Sequence, residues 1–194
     1  PGETEITPEM KRIQRDFSKF SISSHFIEHR NALKPHIDFQ DESSCYAFRI
    51  GKECITRFQA IALQSNFSTH RIGFLFGRVN EITGKVTAHV LVEPLQENNV
   101  DQVIIKNDED VSASVTIAKM FGMRCVGMAI SHQPDQKFPM TAYMVQMAAY
   151  YQNLFGEYFT TLVVMPQNDI DVVIEAFQVS DAAMQIEREN LFEG

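Results

Sequence analysis

The sequence has 194 residues, of which 44% are apolar, a composition typical of a globular domain with a sizeable core. It holds 17 basic and 25 acidic residues, a formal net charge of −8, and no dense Lys/Arg cluster, which argues against a nucleic-acid partner. Three widely spaced cysteines form neither a CxxC pair nor a disulfide framework, so we expect a reducing compartment. The apolar runs are too short to span a bilayer and no signal segment leads the chain, so we expect no membrane partner.

The first 44 residues predict an arm and an irregular linker. Thr7-Pro8 precedes apolar residues at helical spacing, which predicts a short amphipathic helix over 8–20. Residues 21–44 mix histidine, proline and acidic side chains without a period, so we expect an irregular connection there. We therefore expect one folded domain over residues 45–194.

From residue 45 onward the apolar spacing alternates between helical and strand periods. In chain order it predicts a strand at 46–50, a helix at 53–64, a hairpin of strands 71–79 and 86–93, a helix at 111–121, a buried strand at 123–130, a long central buried helix from 139 to 155, a second hairpin of strands 158–165 and 172–179, and a last helix from 181 to 191. Gly122 stands where a left-handed helix C-cap is expected. This order predicts an α/β fold with a mixed β-sheet sandwiched by helices.

Three passages resemble known sequences. His70–Gly77 (HRIGFLFG) resembles the first-strand signature of MPN domains, and Lys119–His132 (KMFGMRCVGMAISH) resembles the passage that delivers the metal-binding His-x-His of active JAMM enzymes. Asp171–Glu187 (DVVIEAFQVSDAAMQIE) resembles the C-terminal strand and helix of the nuclear protein localisation 4 family. Together these resemblances imply an MPN (JAMM-like) fold over residues 45–194.

The same resemblance can be checked at each metal-ligand position. Active JAMM enzymes hold zinc with two His and one Asp, and a Glu activates the metal-bound water. His70 occupies the Glu position and Ile130 the first His position, while the Asp position falls on Tyr143, or on Met144 if the loop is one residue longer. Only His132 is a retained ligand. Because a catalytic zinc needs three protein ligands and an open position, the resemblance implies a vestigial site without catalytic residues, metal or other cofactor.

Two rearranged sites are alternatives to a vestigial one. Asp135 and His89 are the residues that could supplement His132 as metal ligands, and one of the three cysteines could act as a nucleophile beside a histidine. We expect neither, because a histidine at a strand end more often makes a hydrogen bond, and a cysteine in an apolar strand usually behaves as a small hydrophobe.

The resemblance implies a non-enzymatic binding module. The nuclear protein localisation 4 family acts with a ubiquitin-fusion-degradation partner on the valosin-containing AAA unfoldase, and presents polyubiquitinated clients for extraction and proteasomal degradation in the cytoplasm and nucleus. In that family the groove of the MPN domain helps to hold an unfolding ubiquitin. On this sequence we expect that groove to be lined by His70, Ala88, Val90, Ser131 and His132.

Two rival interpretations fit parts of the pattern. An inactive scaffold MPN subunit of a proteasome-lid or signalosome-type complex would also lack the ligands, but the passage Asp171–Glu187 argues against it. A divergent metallo-isopeptidase is the second rival, and a measurement of bound metal separates it from both binding modules. The sequence leaves open the ubiquitin-linkage preference, the oligomeric state, and whether the chain is a fragment of a protein that also carries zinc-finger and ATPase-docking domains.

Overall fold

The computed structural model describes residues 40–100, 102–134, 138–167, 171–189 and 191. All of these belong to one compact unit that runs from Ile37 to Gly194. The predicted helix over 8–20 lies outside the described residues, as do most of the predicted linker and Asp135. The boundary expected between residues 44 and 45 stays a prediction.

The described residues form a mixed α/β structure. The elements are β1 (Ala47–Ile50), α1 (Lys52–Leu63), β2 (Ile72–Asn80), β3 (Lys85–Val92), β4 (Gln96–Asn98), β5 (Val103–Ile105), α2 (Asp108–Met120), β6 (Arg124–Ser131), α3 (Ala142–Phe155), β7 (Thr160–Pro166), β8 (Val172–Phe177) and α4 (Asp181–Arg188). Every helix and strand predicted after residue 45 is present, with shifted ends. The short hairpin β4–β5 was not predicted.

Six strands form one mixed sheet in the order β1-β3-β2-β6-β7-β8, and β4 pairs with β5 in a separate ribbon. Strand β2 is antiparallel to both β3 and β6, and β8 is antiparallel to β7. Strands β1 and β3 are parallel to each other, as are β6 and β7. The predicted mixed sheet and both predicted hairpins are therefore confirmed.

Helices cover both faces of this sheet. On one face the α1 residues Phe58 and Ile61 lie in a buried cluster with strand residues such as Leu75. On the other face Ala118 of α2 and Ala148 of α3 lie in a second buried cluster. Helix α4 packs on α3 rather than on the sheet. Because a fully buried large apolar side chain contributes about 2 kcal/mol, these two clusters supply most of the force that holds the layers together.

The long helix α3 is not buried on all sides, contrary to the prediction. Met144 and Ala148 are buried, but Tyr150 is 51% exposed and Leu154 is 59% exposed. The reason is that α3 lies on one face of the sheet and α4 covers only part of its outer surface. No helix in the described part of the chain is both long and apolar enough to cross a membrane.

Side-chain caps determine where the helices begin. Asn107 accepts a hydrogen bond from Glu109 N, so α2 begins three residues earlier than its apolar spacing predicts. The hydroxyl of Thr141 accepts a hydrogen bond from Met144 N, so α3 begins after Thr141 and not at Pro139. At the other end of α2, Gly122 has φ +65°, the left-handed C-cap conformation that the sequence predicted.

The glycines of β2 give a test of the sheet packing. A Cβ at Gly77 would clash with the backbone oxygen of Thr87, whereas a Cβ at Gly73 would lie 3.3 Å from the side chains of Leu91 and Phe58. Backbone cannot move aside as a side chain can. We therefore expect Gly77→Ala to lower the free energy of unfolding by about 3 kcal/mol and Gly73→Ala by about 1 kcal/mol, measured by urea denaturation. Equal stability of Gly77→Ala and the unchanged protein would contradict this register of β2 and β3.

Candidate functional site

The four positions that the resemblance assigns to the JAMM metal site lie together at one end of the sheet. His70 lies two residues before β2, while Ile130 lies in β6 and His132 directly follows that strand. Strands β2 and β6 pair there, with Ile72 opposite Ile130. Met144, in the first turn of α3, shares a buried cluster with Ile130.

Two of these positions are filled by hydrophobic packing. Ile130 and Met144 are fully buried together with Val163 of β7, and Met140 and Met147 pack against the three. An aliphatic side chain offers a metal no lone pair, and the thioether of Met144 is a soft ligand that does not suit a zinc site of the His/Asp type. These two positions therefore hold side chains that pack β6, β7 and α3 together.

The ring of His132 makes a hydrogen bond to the main chain. Its Nε2 lies 2.7 Å from the carbonyl oxygen of Phe138, and its backbone N donates to the oxygen of Val164 at 2.9 Å. A carbonyl can only accept, so Nε2 carries the proton and is not free to bind a metal. The side chain, which is only 4% exposed, ties the end of β6 to the start of the segment that leads into α3.

His70 and Ser131 form a second buried polar network. Nδ1 of His70 donates to the oxygen of Ser131 at 2.8 Å. The hydroxyl of Ser131 accepts from Arg71 N at 2.7 Å and donates to the oxygen of Thr69 at 3.2 Å. Both side chains are almost completely buried. This network joins the segment before β2 to the end of β6, so His70 has a structural role here.

The side chain of Gln96 pairs with the main chain of β2 on the side away from β6. The amide of Gln96 accepts from Ile72 N at 3.0 Å and donates to the oxygen of Ile72 at 2.9 Å. At this point β3 has already ended and Pro94 has no N–H to donate. The Gln96 amide therefore makes the two hydrogen bonds that a paired strand would make. Gln96 also bonds to Glu93, which forms an ion pair with Arg71 at 2.9 Å. This network was not predicted, because nothing in the local sequence distinguishes Gln96 from other polar loop residues.

The five expected groove residues do not line one open cleft. His70, Ser131, His132 and Ala88 are buried, and only Val90 is substantially exposed, at 40%. The reason is a β-bulge: the β2–β3 register shifts between Phe76 and Gly77, which leaves His89 as the extra residue on β3. Ala88 therefore points into the α1 cluster, whereas Val90 lies on the opposite face of the sheet.

The outer edge of β3 is only half covered. Strand β1 pairs with β3 from Lys85 to Ala88, and Gly51 N adds one bond to the oxygen of Ala88 at 3.2 Å. Past Ala88 the described residues provide no strand beside β3. In the described structure, the main chain over residues 89–92 therefore has a strand partner on one side only.

The alternative metal and thiol sites have no support in the described residues. Among them there is no group of three or more His, Cys, Asp or Glu that could hold a metal. His89 is exposed on the bulge of β3, while His132 is buried at the end of β6. The three cysteines are free thiols, and burial raises the pKa of Cys125 to about 12 and also raises the pKa of Cys54. A thiol with a pKa so far above neutral pH has almost no nucleophilic thiolate.

Comparison with known proteins identifies the family. No protein-family profile matches the chain. It is 32% identical over 167 residues to the "Nuclear protein localization protein 4 homolog" of Dictyostelium discoideum, which covers 86% of this chain and 29% of that protein. It is 28% identical over 177 residues to "NPL4-like protein 1" of Arabidopsis thaliana, and this alignment covers 86% of this chain and 43% of that protein. The "NPL4-like protein" of Oryza sativa subsp. japonica is 30% identical over 167 residues, and this alignment covers 79% of this chain and 40% of that protein.

The chain belongs to the nuclear protein localisation 4 family. It spans less than half the length of each of these relatives. The resemblance that the passage Asp171–Glu187 carried is thereby confirmed at the level of the family.

The buried cluster around Met144 can be tested by restoring an acidic ligand. Met144→Asp would place a carboxylate among Ile130 and Val163 without a cationic partner, so we expect the free energy of unfolding to fall by about 4 kcal/mol. Met144→Leu keeps the volume and should cost less than about 1.5 kcal/mol. Chemical denaturation with and without added zinc measures both. Recovery of the Met144→Asp variant by stoichiometric zinc would contradict a site that has lost its ligands.

Proposed function

We propose that this chain is the non-catalytic MPN-type domain of a ubiquitin-handling cofactor. In this proposal the whole protein, with a ubiquitin-fusion-degradation partner, presents polyubiquitinated clients to the valosin-containing AAA unfoldase for extraction and degradation in the cytoplasm and nucleus. Family membership over most of the chain supports the proposal. The observation that carries the non-catalytic part is the packing of Ile130 with Met144 at two of the ligand positions.

Within this proposal the chain holds an extended segment of an unfolding ubiquitin at the edge of β3. The edge past Ala88 has unpaired main chain in the described structure, and Val90 presents an exposed apolar side chain there. Addition of a strand supplies main-chain hydrogen bonds that do not depend on the client's sequence, which suits an unfolded polypeptide. Only about four residues of edge are free, so the isolated domain should bind weakly, since the client loses chain entropy on ordering.

Zinc content and ubiquitin-chain cleavage test whether the protein is non-catalytic. Because the Glu and Asp positions and one His position hold other residues, purified protein should contain well under one zinc per chain and should leave ubiquitin chains uncut. Elemental analysis and a gel assay of ubiquitin-chain cleavage test both statements. Stoichiometric zinc together with chelator-sensitive cleavage would support the metallo-isopeptidase interpretation instead.

The client site can be mapped with an extended ubiquitin-derived peptide that carries a photo-crosslinker. Val90→Glu should weaken binding about fivefold or more, because it puts a charge where the apolar contact lies. Val173→Glu on β8 is the matched control, since Val173 is 37% exposed and Val90 is 40% exposed. Ala88 is unsuitable for such a change, because its side chain is in the core. Crosslinks confined to residues 171–191 and unaffected by Val90→Glu would rule out the edge of β3.

A further inference from the structure

Among the described residues, no helix lies over one sheet face at the β1–β3–β2 end. On this side α2 and α3 contact β2, β6 and β7, and α1 lies on the opposite face. Arg49 of β1 and Arg78 of β2 both pair with Thr87 of β3, and Lys85 lies two residues before Thr87. Paired residues and residues two apart in a strand share a face, so these four side chains project from the same side of the sheet.

The residues between them confirm this assignment. Val86 and Ala88 of β3 are buried in the α1 cluster, and Phe48, Ile50 and Val79 pack against it. The neighbouring strands therefore alternate cleanly: apolar side chains go to α1, and Arg49, Lys85 and Arg78 go to the uncovered face. All three are exposed.

The face concentrates positive charge in a chain whose net charge is −8. Arg49 and Arg78 lie two strand spacings apart, about 10 Å, which is close to the screening length of about 8 Å at physiological salt. Neither these two nor Lys85 has an ion-pair partner among the described residues, whereas Arg124 nearby is paired with Glu81 at 3.2 Å. An anionic partner would therefore meet three cations that have no competing ion pair among the described residues.

An apolar border adjoins the cations. Nη2 of Arg78 donates to the oxygen of Phe121 at 3.2 Å, which places the end of α2 beside the charged face. There the side chain of Met120 is 81% exposed and that of Phe121 is 64% exposed. Large apolar side chains exposed next to unpaired cations are typical of a surface that a partner covers.

We propose that this face, made of Arg49, Arg78, Lys85 and Thr87 with Met120 and Phe121 at its border, binds an acidic peptide segment that also carries large apolar residues. Carboxylates of the peptide pair with the three cations, and its apolar side chains pack on the end of α2. A protein segment fits better than a nucleic acid. Three cations contact few phosphates, and the negative charge of the rest of the chain repels a long polyanion.

The test uses the full chain and a fluorescein-labelled synthetic peptide of repeated Glu-Glu-Phe units, followed by fluorescence anisotropy. Arg49→Gln combined with Lys85→Gln should weaken binding about fivefold, since each exposed ion pair contributes modestly. The control combines Arg57→Gln on α1 with Lys106→Gln after β5. It removes the same charge from other surfaces and should change affinity less than about twofold. Higher salt should weaken binding to the unchanged chain.

Three results would overturn the proposal: equal losses in the two double variants, equal binding of a Gln-Gln-Phe peptide, or tighter binding of a labelled single-stranded oligonucleotide than of the acidic peptide. A variant with Arg49→Lys and Lys85→Arg keeps both positive charges. Unchanged affinity in that variant would support the proposal, because the peptide needs charge at these positions. Circular dichroism melting of each variant establishes that it is folded before its affinity is compared.

Discussion

The packing of Ile130 against Met144 and Val163 holds β6, β7 and α3 together, at positions that the sequence resemblance assigns to zinc ligands. Metal ligation and apolar packing are alternative ways to join these elements, and they exclude each other at one position. Each buried side chain contributes about 2 kcal/mol, but the cluster has no tolerance for the carboxylate or imidazole that a metal requires. Beside this cluster, His132 and His70 donate to main-chain oxygens.

The periodicity of the sequence was enough to predict the sheet and its helices, because most elements are set by local spacing. The ends were harder to predict where a single side chain decides them, as Asn107 does for α2 and Thr141 for α3. The β4–β5 hairpin escaped prediction because its first strand is polar and its supports are distant in sequence. Gln96 bonds to Ile72, and the hydroxyl of Tyr143 donates to the oxygen of Val103 at 2.6 Å.

The sequence predicted which residues lie together at this end of the sheet, but not which of them are exposed. Comparison with the JAMM pattern left the last ligand position open between Tyr143 and Met144. In the structure Met144 is the one that shares a cluster with Ile130, while Tyr143 bonds to β5. Strict alternation puts Ala88 and Val90 on one face, and this is why both were expected in the groove. The bulge at His89 reverses the alternation, and the sequence carries no sign of a bulge at that residue.

Under the two proposals the same bulge gives β3 two different recognition surfaces. Before the bulge, where β1 covers the edge, Lys85 and Thr87 project from the uncovered face, so recognition there would depend on charge. After the bulge no described strand pairs with this edge, so recognition there would depend on main-chain hydrogen bonds. A surface of the first kind is selective and sensitive to salt, and one of the second kind tolerates almost any extended sequence. If the chain is part of a cofactor that handles unfolding clients, as proposed above, both properties are useful, because a client must be held whatever its sequence while a constant partner is recognised by its own. One strand with a bulge would then provide both side by side without any metal chemistry.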